Sequence, residues 1–282
     1  MKLKILYVPF IMMMFVLCGC WTVTVEEQSF VLATFNIRCP IDKTPHSWKE
    51  RSPRCSALIK RNHIDIFGVQ EATRKQLDDL LECGMFGFVG GGRNDFKDGG
   101  EFSAILYRKD RFKLLKGGTF GLSETPEIPG VKSWGSACPR IATWGLFQDR
   151  QTGKKFIYYN THLDHRSENA RVNGIKLLVD HAKNNMPGVP LVISGDFNAK
   201  PNSVTYQTAA ALLKDSAAVS EAAHLGPQGT FHGYGKYQTK QPIDYIFVSE
   251  EFRVLSHRTD DTKFSGGYPS DHYPVITRLY LK

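Results

Sequence analysis

Four short acidic motifs recur along the chain, and each follows or ends an apolar, β-branched run. Behind the segment Thr34-Phe35-Asn36-Ile37 come Gln70-Glu71-Ala72, Gly195-Asp196-Phe197-Asn198, Ile243-Asp244-Tyr245-Ile246 and Ser270-Asp271-His272. Each segment therefore delivers a carboxylate or a carboxamide to a predicted strand end. Such oxygen ligands suit a hard divalent cation and the phosphate that the cation would hold. The pattern predicts a phosphoesterase that depends on Mg²⁺ or Mn²⁺.

Two of these motifs also fit purely structural roles. A carboxylate at Glu71, directly after the apolar run of residues 64–69, is costly to bury unless it is paired or binds a metal. It equally fits an acid at the N-terminus of the next helix. Asp196 and Asn198 point the same way after the turn that Gly195 permits, so together they can orient a water and a phosphoryl oxygen. They also fit an Asx-turn that closes a strand.

A histidine lies beside the last acidic residue, in Ser270-Asp271-His272. Neighbouring side chains in a strand face opposite ways, so we do not expect Asp271 and His272 to bond to each other. A catalytic imidazole is fixed by a second partner. Asp244, at the start of the strand predicted over residues 245–248, is the natural candidate for that partner.

A second histidine cluster ends another predicted strand, in Asn160-Thr161-His162-Leu163-Asp164-His165. His162 at this position suits an acid, or a donor to the charge that develops on phosphorus. His162 and His165 together also fit a transition-metal site, although no third soft ligand is near in sequence. We prefer His162 at the chemistry and leave the roles of Asp164 and His165 open.

The elements that must position these side chains are mostly strands. Alternating or β-branched runs predict strands over residues 30–37, 64–69, 102–107, 112–115, 141–147, 156–160, 191–194, 245–248 and 275–281. Helical spacing predicts helices over residues 48–63, through Leu77, Leu80 and Leu81, and over residues 172–182. So many strands with so few helices favour an α+β fold in which sheet packs on sheet with helices outside.

The N-terminus has the pattern of an export signal. Lys2 and Lys4 precede an apolar run over residues 5–18 that is short for a membrane span, so residues 1–19 are a predicted signal peptide. The run ends in Leu17-Cys18-Gly19-Cys20, which resembles a bacterial lipobox with Cys20 as the lipidated first residue. Because Cys18 is unusual there, ordinary signal cleavage also fits, and a buried N-terminal helix is the third alternative. We expect a periplasmic or cell-surface lipoprotein with a tether over residues 20–28.

The charge of the chain is compatible with an anionic substrate. The net charge is +8, and removal of the leader leaves 263 residues with +6 because only Lys2 and Lys4 are lost. That excess can attract phosphate esters. The densest basic group, over residues 108–116, alternates with apolar residues. It therefore indicates a solvated strand face rather than a nucleic-acid-binding stripe.

Four cysteines follow Cys20 in the sequence: Cys39, Cys55, Cys83 and Cys138. An exported compartment permits disulfides among them, but free buried thiols fit a large domain equally well. None has zinc-site spacing, so zinc is not expected. The pairing stays open.

Taken in order, five segments resemble the endonuclease/exonuclease/phosphatase superfamily, which includes DNase I, exonuclease III-type repair enzymes, inositol polyphosphate 5-phosphatases, neutral sphingomyelinases and deadenylases. The segments are Asn36, Glu71, Gly195-Asp196-Phe197-Asn198, Ile243-Asp244-Tyr245 and Ser270-Asp271-His272. The resemblance covers residues 29–282. It implies one domain with a four-layer sandwich of two packed mixed β-sheets flanked by helices.

The resemblance also implies a role for each motif residue. Glu71 would be the main Mg²⁺ ligand, with Asn36 beside it contacting metal-bound water or phosphate, and with Asp271 near the metal. Asp196 would align or deprotonate the attacking water, and Asn198 would hold a phosphoryl oxygen. His272, oriented by Asp244, would bind phosphate or transfer a proton. His162 is similar to the histidine of DNase I, sphingomyelinases and 5-phosphatases, whereas exonuclease III-type enzymes carry another residue there.

The middle of the chain resembles an exported bacterial branch of the same superfamily. The segments that carry this likeness are Trp48-Lys49-Glu50-Arg51, Gly99-Gly100-Glu101-Phe102, Leu122-Ser123-Glu124-Thr125-Pro126 and Pro139-Arg140. Arg140 could contact phosphate and Glu101 could face the metal, although each equally fits a structural pair. His232, in the loop Thr230-Phe231-His232-Gly233, is where we expect substrate selection.

These observations predict an exported, metal-dependent phosphatase or phosphodiesterase, monomeric, that hydrolyses a small or lipid phosphoester. A secreted nuclease for nucleic-acid salvage is the alternative within enzymes, but no run of Arg and Lys interleaved with aromatic residues supports strand binding. A binding lipoprotein that keeps the fold without catalysis is the alternative of another class. The presence of every motif residue speaks against it.

Overall fold

The computed structural model describes residues 24–282. The predicted signal peptide, Cys20 and the first part of the predicted tether lie outside the described residues. None of the helices within residues 24–282 is long and apolar enough to cross a membrane.

The described chain is built from short helices and many strands. The strands are β1 (Phe30–Asn36), β2 (Ile66–Gln70), β3 (Phe86–Val89), β4 (Ile105–Arg108), β5 (Phe112–Gly121), β6 (Ile141–Asp149), β7 (Lys155–His162), β8 (Leu191–Asp196), β9 (Lys214–Asp215), β10 (Asp244–Val248), β11 (Phe252–Thr259) and β12 (Val275–Leu281). The helices are α1 (Val25–Gln28), α2 (Trp48–Arg61), α3 (Arg74–Leu81), α4 (Glu168–Asn185) and α5 (Val204–Ala210), with a 3₁₀ turn at Gly233–Gly235.

The strands form two mixed sheets of six. The order is β11-β12-β1-β2-β4-β3 in the first sheet and β5-β6-β7-β8-β10-β9 in the second. The middle of each sheet holds one parallel pair, β1 with β2 and β7 with β8. Because parallel neighbours end at the same edge, each sheet delivers several motif residues to one place.

Three hydrophobic clusters show the four layers. Helices α2 and α3 pack on the outside of the first sheet through residues such as Leu58 and Leu77. Helix α4 covers the second sheet with Ile175 and Leu178. The third cluster lies between the sheets and contains strand residues from both, among them Phe30, Phe112, Phe147 and Phe156. The predicted α+β sandwich of two packed sheets flanked by helices is confirmed.

A polar network also joins the two sheets. The side chain of Asn160 on β7 donates to the carbonyl oxygens of Val69 (2.9 Å) and Ala104 (3.0 Å), and accepts from Gln70 Nε2 (2.7 Å). Tyr158 Oη lies 2.7 Å from Ser194 Oγ and 3.2 Å from the carbonyl oxygen of Ala33. These buried groups satisfy one another directly beneath the strand ends that carry the motifs.

The sequence missed some elements and misplaced some ends. β3 and β11 were not predicted, because one contains glycine and the other alternates apolar residues with arginine, serine and histidine. The strand predicted over residues 102–107 begins only at Ile105, since Phe102 makes isolated bridges to Ala72 and Gly92. β5 continues past residue 115 through two glycines to Gly121 because β6 pairs with it along its whole length.

Candidate active site

A cavity of about 350 Å³ opens where the ends of the two sheets meet. Glu71, Asp271 and His272 line it from the first sheet and the loops around it, and His162, Asp196 and Asn198 line it from the second. A larger cavity of about 560 Å³ beside α2 and α3 is mainly apolar and contains none of the motif residues. The chemistry therefore belongs to the smaller, polar cavity.

The strand registers explain why these side chains meet. Asn36 pairs with Gln70 at the ends of β1 and β2, so Glu71 follows immediately beside Asn36. In the second sheet Asp196 pairs with Asp244 on one side and with His162 on the other. The motif residues thus occupy matched positions on neighbouring strands, as their places at strand ends predicted.

Glu71 is held in an ionised state. Its carboxylate accepts hydrogen bonds from Asn36 Nδ2 at 3.1 Å and from the backbone N–H of Cys39 at 3.0 Å. Burial alone would raise the pKa of Glu71, but these bonds and the charge of Arg38 hold the pKa below its ordinary value. A buried, ionised carboxylate facing a cavity is a good ligand for a divalent cation.

Asn36 connects the two halves of the site. Its Nδ2 donates to Glu71 and also to Asp196 Oδ2, at 3.0 Å, while its Oδ1 accepts from the backbone N–H of Arg38. Asn36 is fully buried and does not line the cavity. The direction of these bonds makes Asn36 a residue that positions two carboxylates, and its contact with metal-bound water or phosphate, which the resemblance implied, stays a prediction.

Asp196, Asp244 and His272 form one buried group, in which a hydrogen bond joins His272 to Asp244. His272 Nδ1 lies 2.9 Å from Asp244 Oδ2, the partner expected from the place of Asp244 at a strand start, and His272 Nε2 lies 3.8 Å from Asp196 Oδ2. Burial alone would lower the pKa of His272, but Asp244 and then Asp196 raise it to about 10. Burial and the charge of Asp244 raise the pKa of Asp196 to about 7. At neutral pH, His272 is a cation beside a carboxyl group poised to exchange a proton.

His162 and Asn198 lie next to Asp196. Asn198 Nδ2 is 3.0 Å from His162 Nε2 and 3.1 Å from the carbonyl oxygen of Leu163, and His162 Nε2 is 3.6 Å from Asp196 Oδ2. Burial, then the positive charges of Arg140 and His272, hold the pKa of His162 well below its ordinary value, so the imidazole is neutral. The backbone N–H of Asn198 also donates to Asp196 Oδ1 at 2.9 Å. The Asx-type turn is therefore present together with the clustered site.

The resemblance placed Asp271 near the metal, and the structure places it on the cavity wall. Arg38, which sequence reasoning missed, contacts it: the Arg38 guanidinium lies 3.6 Å from Glu71 and 3.8 Å from Asp271. Burial, and then the charge of Glu71, raise the pKa of Asp271 against the opposing charge of His272. The sequence signal that could have identified Arg38 as a site residue was its position, two residues after Asn36.

Arg51 is a second residue that sequence reasoning did not place at the site. Its fully buried guanidinium donates to the carbonyl oxygens of Ile37, Arg38 and Cys39 in one loop, and of Pro269 in another. These loops follow Asn36 and precede Asp271. The side chain on α2 thus fixes the two backbone segments that carry the metal side of the cavity.

Arg140 and Glu101 both line the cavity, and each is also paired. Arg140 Nε lies 3.3 Å from Asp164 Oδ2 and its Nη2 lies 2.9 Å from His165 Nδ1. Glu101 accepts a 2.7 Å bond from Arg93, a cavity residue that the sequence did not single out. The two alternatives for these residues, site and structural pair, are therefore compatible.

His232 does not reach the cavity. Its ring is buried and stacks on Tyr273 at 3.8 Å, and its Nδ1 accepts from the N–H of Gly235. The N–H groups of His232 and Gly233 donate to the carbonyl oxygen of Asp271. His232 therefore supports the loop of Asp271 from behind, and its neighbour Phe231 takes the place on the cavity wall.

Cys39, Cys55, Cys83 and Cys138 are all free thiols in the described chain. Cys39 and Cys138 line the cavity. Burial, and then the charge of Glu71, raise the pKa of Cys39 to about 12. Cys39 is therefore a neutral wall residue rather than a nucleophile.

The donor set fits a hard cation. Glu71, Asp196 and Asp271 bring carboxylate oxygens to one cavity, which suits Mg²⁺ or Mn²⁺ better than a softer metal. Ligand atoms of Asp196, Asp244 and His272 also lie within 4.8 Å of one another. That trio is less suitable for a metal, because His272 carries a proton at neutral pH and its Nδ1 is already bonded to Asp244.

Comparison with known proteins identifies the family. A sequence model of the Endonuclease/Exonuclease/phosphatase family matches residues 33–272. The chain is 34% identical to an endonuclease/exonuclease/phosphatase from Bacteroides vulgatus, over 90% of this chain and 99% of that one, with a TM-score of 0.85. The chain therefore belongs to the endonuclease/exonuclease/phosphatase family, with its DNase I-like fold.

Three further proteins resemble this chain to different degrees. A Bacteroides thetaiotaomicron mannosyl-6-phosphatase is 33% identical, over 90% of this chain and 100% of that one, with a TM-score of 0.83. The catalytic domain of human Nocturnin shares the fold at 21% identity and a TM-score of 0.72, over 90% of this chain and 95% of that one. An uncharacterized protein, R895, of Acanthamoeba polyphaga mimivirus is 24% identical over 78% of this chain, which spans only 37% of that protein.

Proposed function

We propose that this chain is a metal-dependent phosphatase that hydrolyses a small phosphoester by attack of water on phosphorus. The observation that carries the proposal is the convergence of Glu71, Asp196, Asn198 and His272 on one polar cavity, with His272 bonded to Asp244. Carboxylates for a hard cation, a carboxyl group near its titration point and a fixed imidazolium are the parts that this chemistry needs.

A divalent cation held by Glu71 and Asp271 would neutralise charge on the phosphoryl oxygens when bound. Asp196, fixed by the amide of Asn36, aligns the attacking water and takes its proton. Asn198 Nδ2 donates to His162 Nε2 and to the carbonyl oxygen of Leu163 in this structure, so it would have to exchange one of these bonds to donate to a phosphoryl oxygen.

The two histidines have different tasks because their pKa values differ. His272, which Asp244 keeps protonated, donates to the phosphoryl group as negative charge develops there. His162 is neutral, so it serves the leaving-group side as a hydrogen-bonding group, and the leaving oxygen takes its proton from solvent.

The substrate class is the finer part of the proposal. The likeness to the Bacteroides thetaiotaomicron mannosyl-6-phosphatase extends over nearly the whole described domain, and it favours a phosphorylated sugar among small phosphoesters. Arg38, Arg93 and Arg140 on the cavity wall supply a setting for an anionic group. A nuclease remains the competing enzyme, and a non-catalytic binding protein the competing class.

The test is a panel of substrates with the leaderless protein in Mg²⁺ or Mn²⁺: hexose 6-phosphates, inositol phosphates, sphingomyelin, RNA and plasmid DNA. We expect turnover of small phosphoesters to exceed cleavage of nucleic acid. Much faster cleavage of plasmid DNA would establish the nuclease instead. No turnover of any member, with a metal bound, would support the binding protein.

Substitution of the proposed base is the second test. Asp196→Asn keeps the shape of the side chain but removes the group that accepts a proton, so we expect kcat to fall by about 10²–10⁴-fold. Asp78→Asn, at an exposed position on α3 outside the cavity, is the matched control and should keep wild-type kcat. Wild-type turnover in Asp196→Asn would refute the mechanism.

We also propose that the protein is exported, anchored through a lipid on Cys20, and monomeric. The basic and apolar pattern of residues 1–19 supports this proposal. Expression of the full chain in a bacterium should give a protein that labels with palmitate and partitions into detergent, whereas Cys20→Ser should abolish both. A soluble, unlabelled protein that has lost the leader would indicate ordinary signal cleavage.

A further inference from the structure

Two cavity arginines lie near His162 and share a narrow recess. Arg93 and Arg140 line the main cavity, and together with Glu101 and His162 they also line a small recess that opens beside it. Their positive charges are among the influences that keep His162 neutral. The two guanidinium groups therefore flank the edge of the reaction site next to the proposed leaving-group residue.

Both arginines are held in place by other side chains. Arg93 Nη1 donates to Glu101 Oε2 at 2.7 Å. Arg140, which is only 6% exposed, is fixed through Nε by Asp164 and through Nη2 by His165. Asp164 itself accepts backbone N–H bonds from the 137 and 166–167 segments. The orientation of each guanidinium is thus set before any substrate arrives.

Each arginine keeps donors that no described residue uses. Nη1 of Arg140, and Nε and Nη2 of Arg93, make no hydrogen bond within residues 24–282. None of these nitrogens is among the buried polar atoms that lack a partner, so each remains accessible from the solvent or the cavity. Guanidinium groups fixed on one side, with free donors on the other, match the geometry of a phosphate.

We propose that Arg93 and Arg140 together bind the third terminal oxygen of a phosphomonoester and make the site selective for monoesters over diesters. The proposal rests on the phosphoesterase function proposed above. A monoester has three terminal oxygens and about −1.5 to −2 charge at neutral pH. The metal side can take one oxygen and the His272 side another. In a diester the third oxygen carries a second organic group. That group would face the fixed guanidinium groups of Arg93 and Arg140 instead of solvent.

The test compares two substrates with the same leaving group, p-nitrophenyl phosphate and bis(p-nitrophenyl) phosphate. In Arg93→Gln and Arg140→Gln we expect kcat/KM for the monoester to fall by about 10- to 100-fold, the loss expected for hydrogen bonds to a charged group. The value for the diester should change by less than about 3-fold, well under the effect of one such bond. Arg253→Gln, which alters an exposed pair with Glu221, is the control and should change neither.

A second measurement does not need turnover. We would titrate inorganic phosphate calorimetrically into the wild-type protein and each variant. Phosphate should bind more weakly to Arg93→Gln and Arg140→Gln than to the wild-type protein, and its affinity for Arg253→Gln should be unchanged. Arg93 is partly exposed and its partner Glu101 faces the cavity, so Arg93→Gln should fold even if Arg140→Gln does not. A melting temperature for each variant separates a folding defect from a binding defect.

The outcomes are distinguishable. If both esters lose the same factor in folded Arg93→Gln, the pair is structural and the inference is overturned. If the wild-type protein hydrolyses neither ester and no member of the substrate panel, the proposed function fails, and the phosphate titration alone decides on the arginine pair. Unchanged phosphate affinity in both variants would overturn the pair even then.

Discussion

At the scale of single residues, the pair of His272 and Asp244 determines how the site responds to pH. The folded-state pKa of His272, about 10, lies above the ordinary value of about 6.5 that it has in an unfolded chain. A raised pKa stabilises the fold fully below the unfolded value. That stabilisation is lost as the pH rises from there through the folded-state value.

We therefore expect Asp244→Asn to be most destabilising at pH 6 and progressively less so toward pH 10. Removal of one member of a buried ion pair costs about 3–5 kcal/mol, and this gap should shrink as His272 loses its proton in the wild-type protein. Urea unfolding in EDTA at several pH values measures the gap. A gap that stays constant from pH 6 to pH 10 would contradict the assigned protonation.

The double variant Asp244→Asn/His272→Gln is the control for that series. It lacks both titrating partners, so its stability should show a weaker pH dependence than the wild-type protein in the same range. Asp196 titrates in the same cavity, and its raised pKa of about 7 adds a smaller loss of stability between about pH 4 and pH 7. In the double variant this second loss should persist to the extent that burial causes it, because the variant lacks the charges of Asp244 and His272.

At the scale of elements, β7 and β8 approach each other closely at Gly195. Its φ of +151° is one that L side chains rarely adopt, and a Cβ there would lie within 2.0 Å of the carbonyl oxygen of Thr161. The glycine before Asp196 is therefore required by space as well as by conformation. It sets the distance from Asp196 to His162, the last residue of β7.

Gly195→Ala should accordingly push β8 away from β7 and cost about 3 kcal/mol or more, since backbone strain and overpacking add. Turnover should fall as well, because Asp196 moves with the strand. Gly153→Ala is the matched control: its φ is +74° but nothing lies within 4 Å of a Cβ there. We expect that control to cost about 1–2 kcal/mol, with wild-type kcat. Equal losses of stability and activity in the two variants would argue against the close contact.

Much of the fold and the acidic half of the site were predictable because local pattern determines them. A β-branched run followed by a polar residue marks a strand end, and strand ends of one sheet edge lie together. Alternation argued against Asp271 as the partner of His272, and the place of Asp244 at the start of a predicted strand made it the candidate. Arg51, Arg93 and Arg38 were missed because an arginine in sequence looks like any surface charge. Only tertiary contacts distinguish a buried arginine such as Arg51, which donates to four or more backbone carbonyl oxygens, from an arginine on the surface.

The error at His232 has a similar cause. A histidine in a loop before a strand was expected to face substrate, yet stacking against Tyr273 buries its ring. Which side of a loop faces a cavity depends on the packing of aromatic residues that lie far apart in sequence. Local pattern holds no information on that orientation.

At the scale of the whole molecule, a bound cation should stabilise the fold. Glu71, Asp196 and Asp271 are held close together in one cavity, and a cation that binds only the folded state adds about 2.7 kcal/mol at a concentration one hundred times Kd. Mg²⁺ or Mn²⁺ should therefore raise the melting temperature of the wild-type protein. EDTA should reverse the rise.

Glu71→Gln should lose most of this metal-induced rise, because it removes the ionised ligand while keeping the bond from Asn36. Glu127→Gln, on the exposed surface, should keep the full rise. Differential scanning fluorimetry with and without Mn²⁺ measures both. A full metal-induced rise in the melting temperature of Glu71→Gln would indicate that the metal binds to another set of ligands.

The polar network around Asn160 has a consequence for how reliably the cavity assembles. Two apolar sheet faces alone can pack in several relative positions, because many of these positions bury a similar apolar area. The amide of Asn160 donates to two carbonyl oxygens of the opposite layer. A shift of one layer by one residue would leave these buried carbonyl groups without a hydrogen-bond partner. The two sheets can therefore pack fully only in the register that brings Glu71 and Asp196 together, because another register leaves buried polar groups without hydrogen bonds.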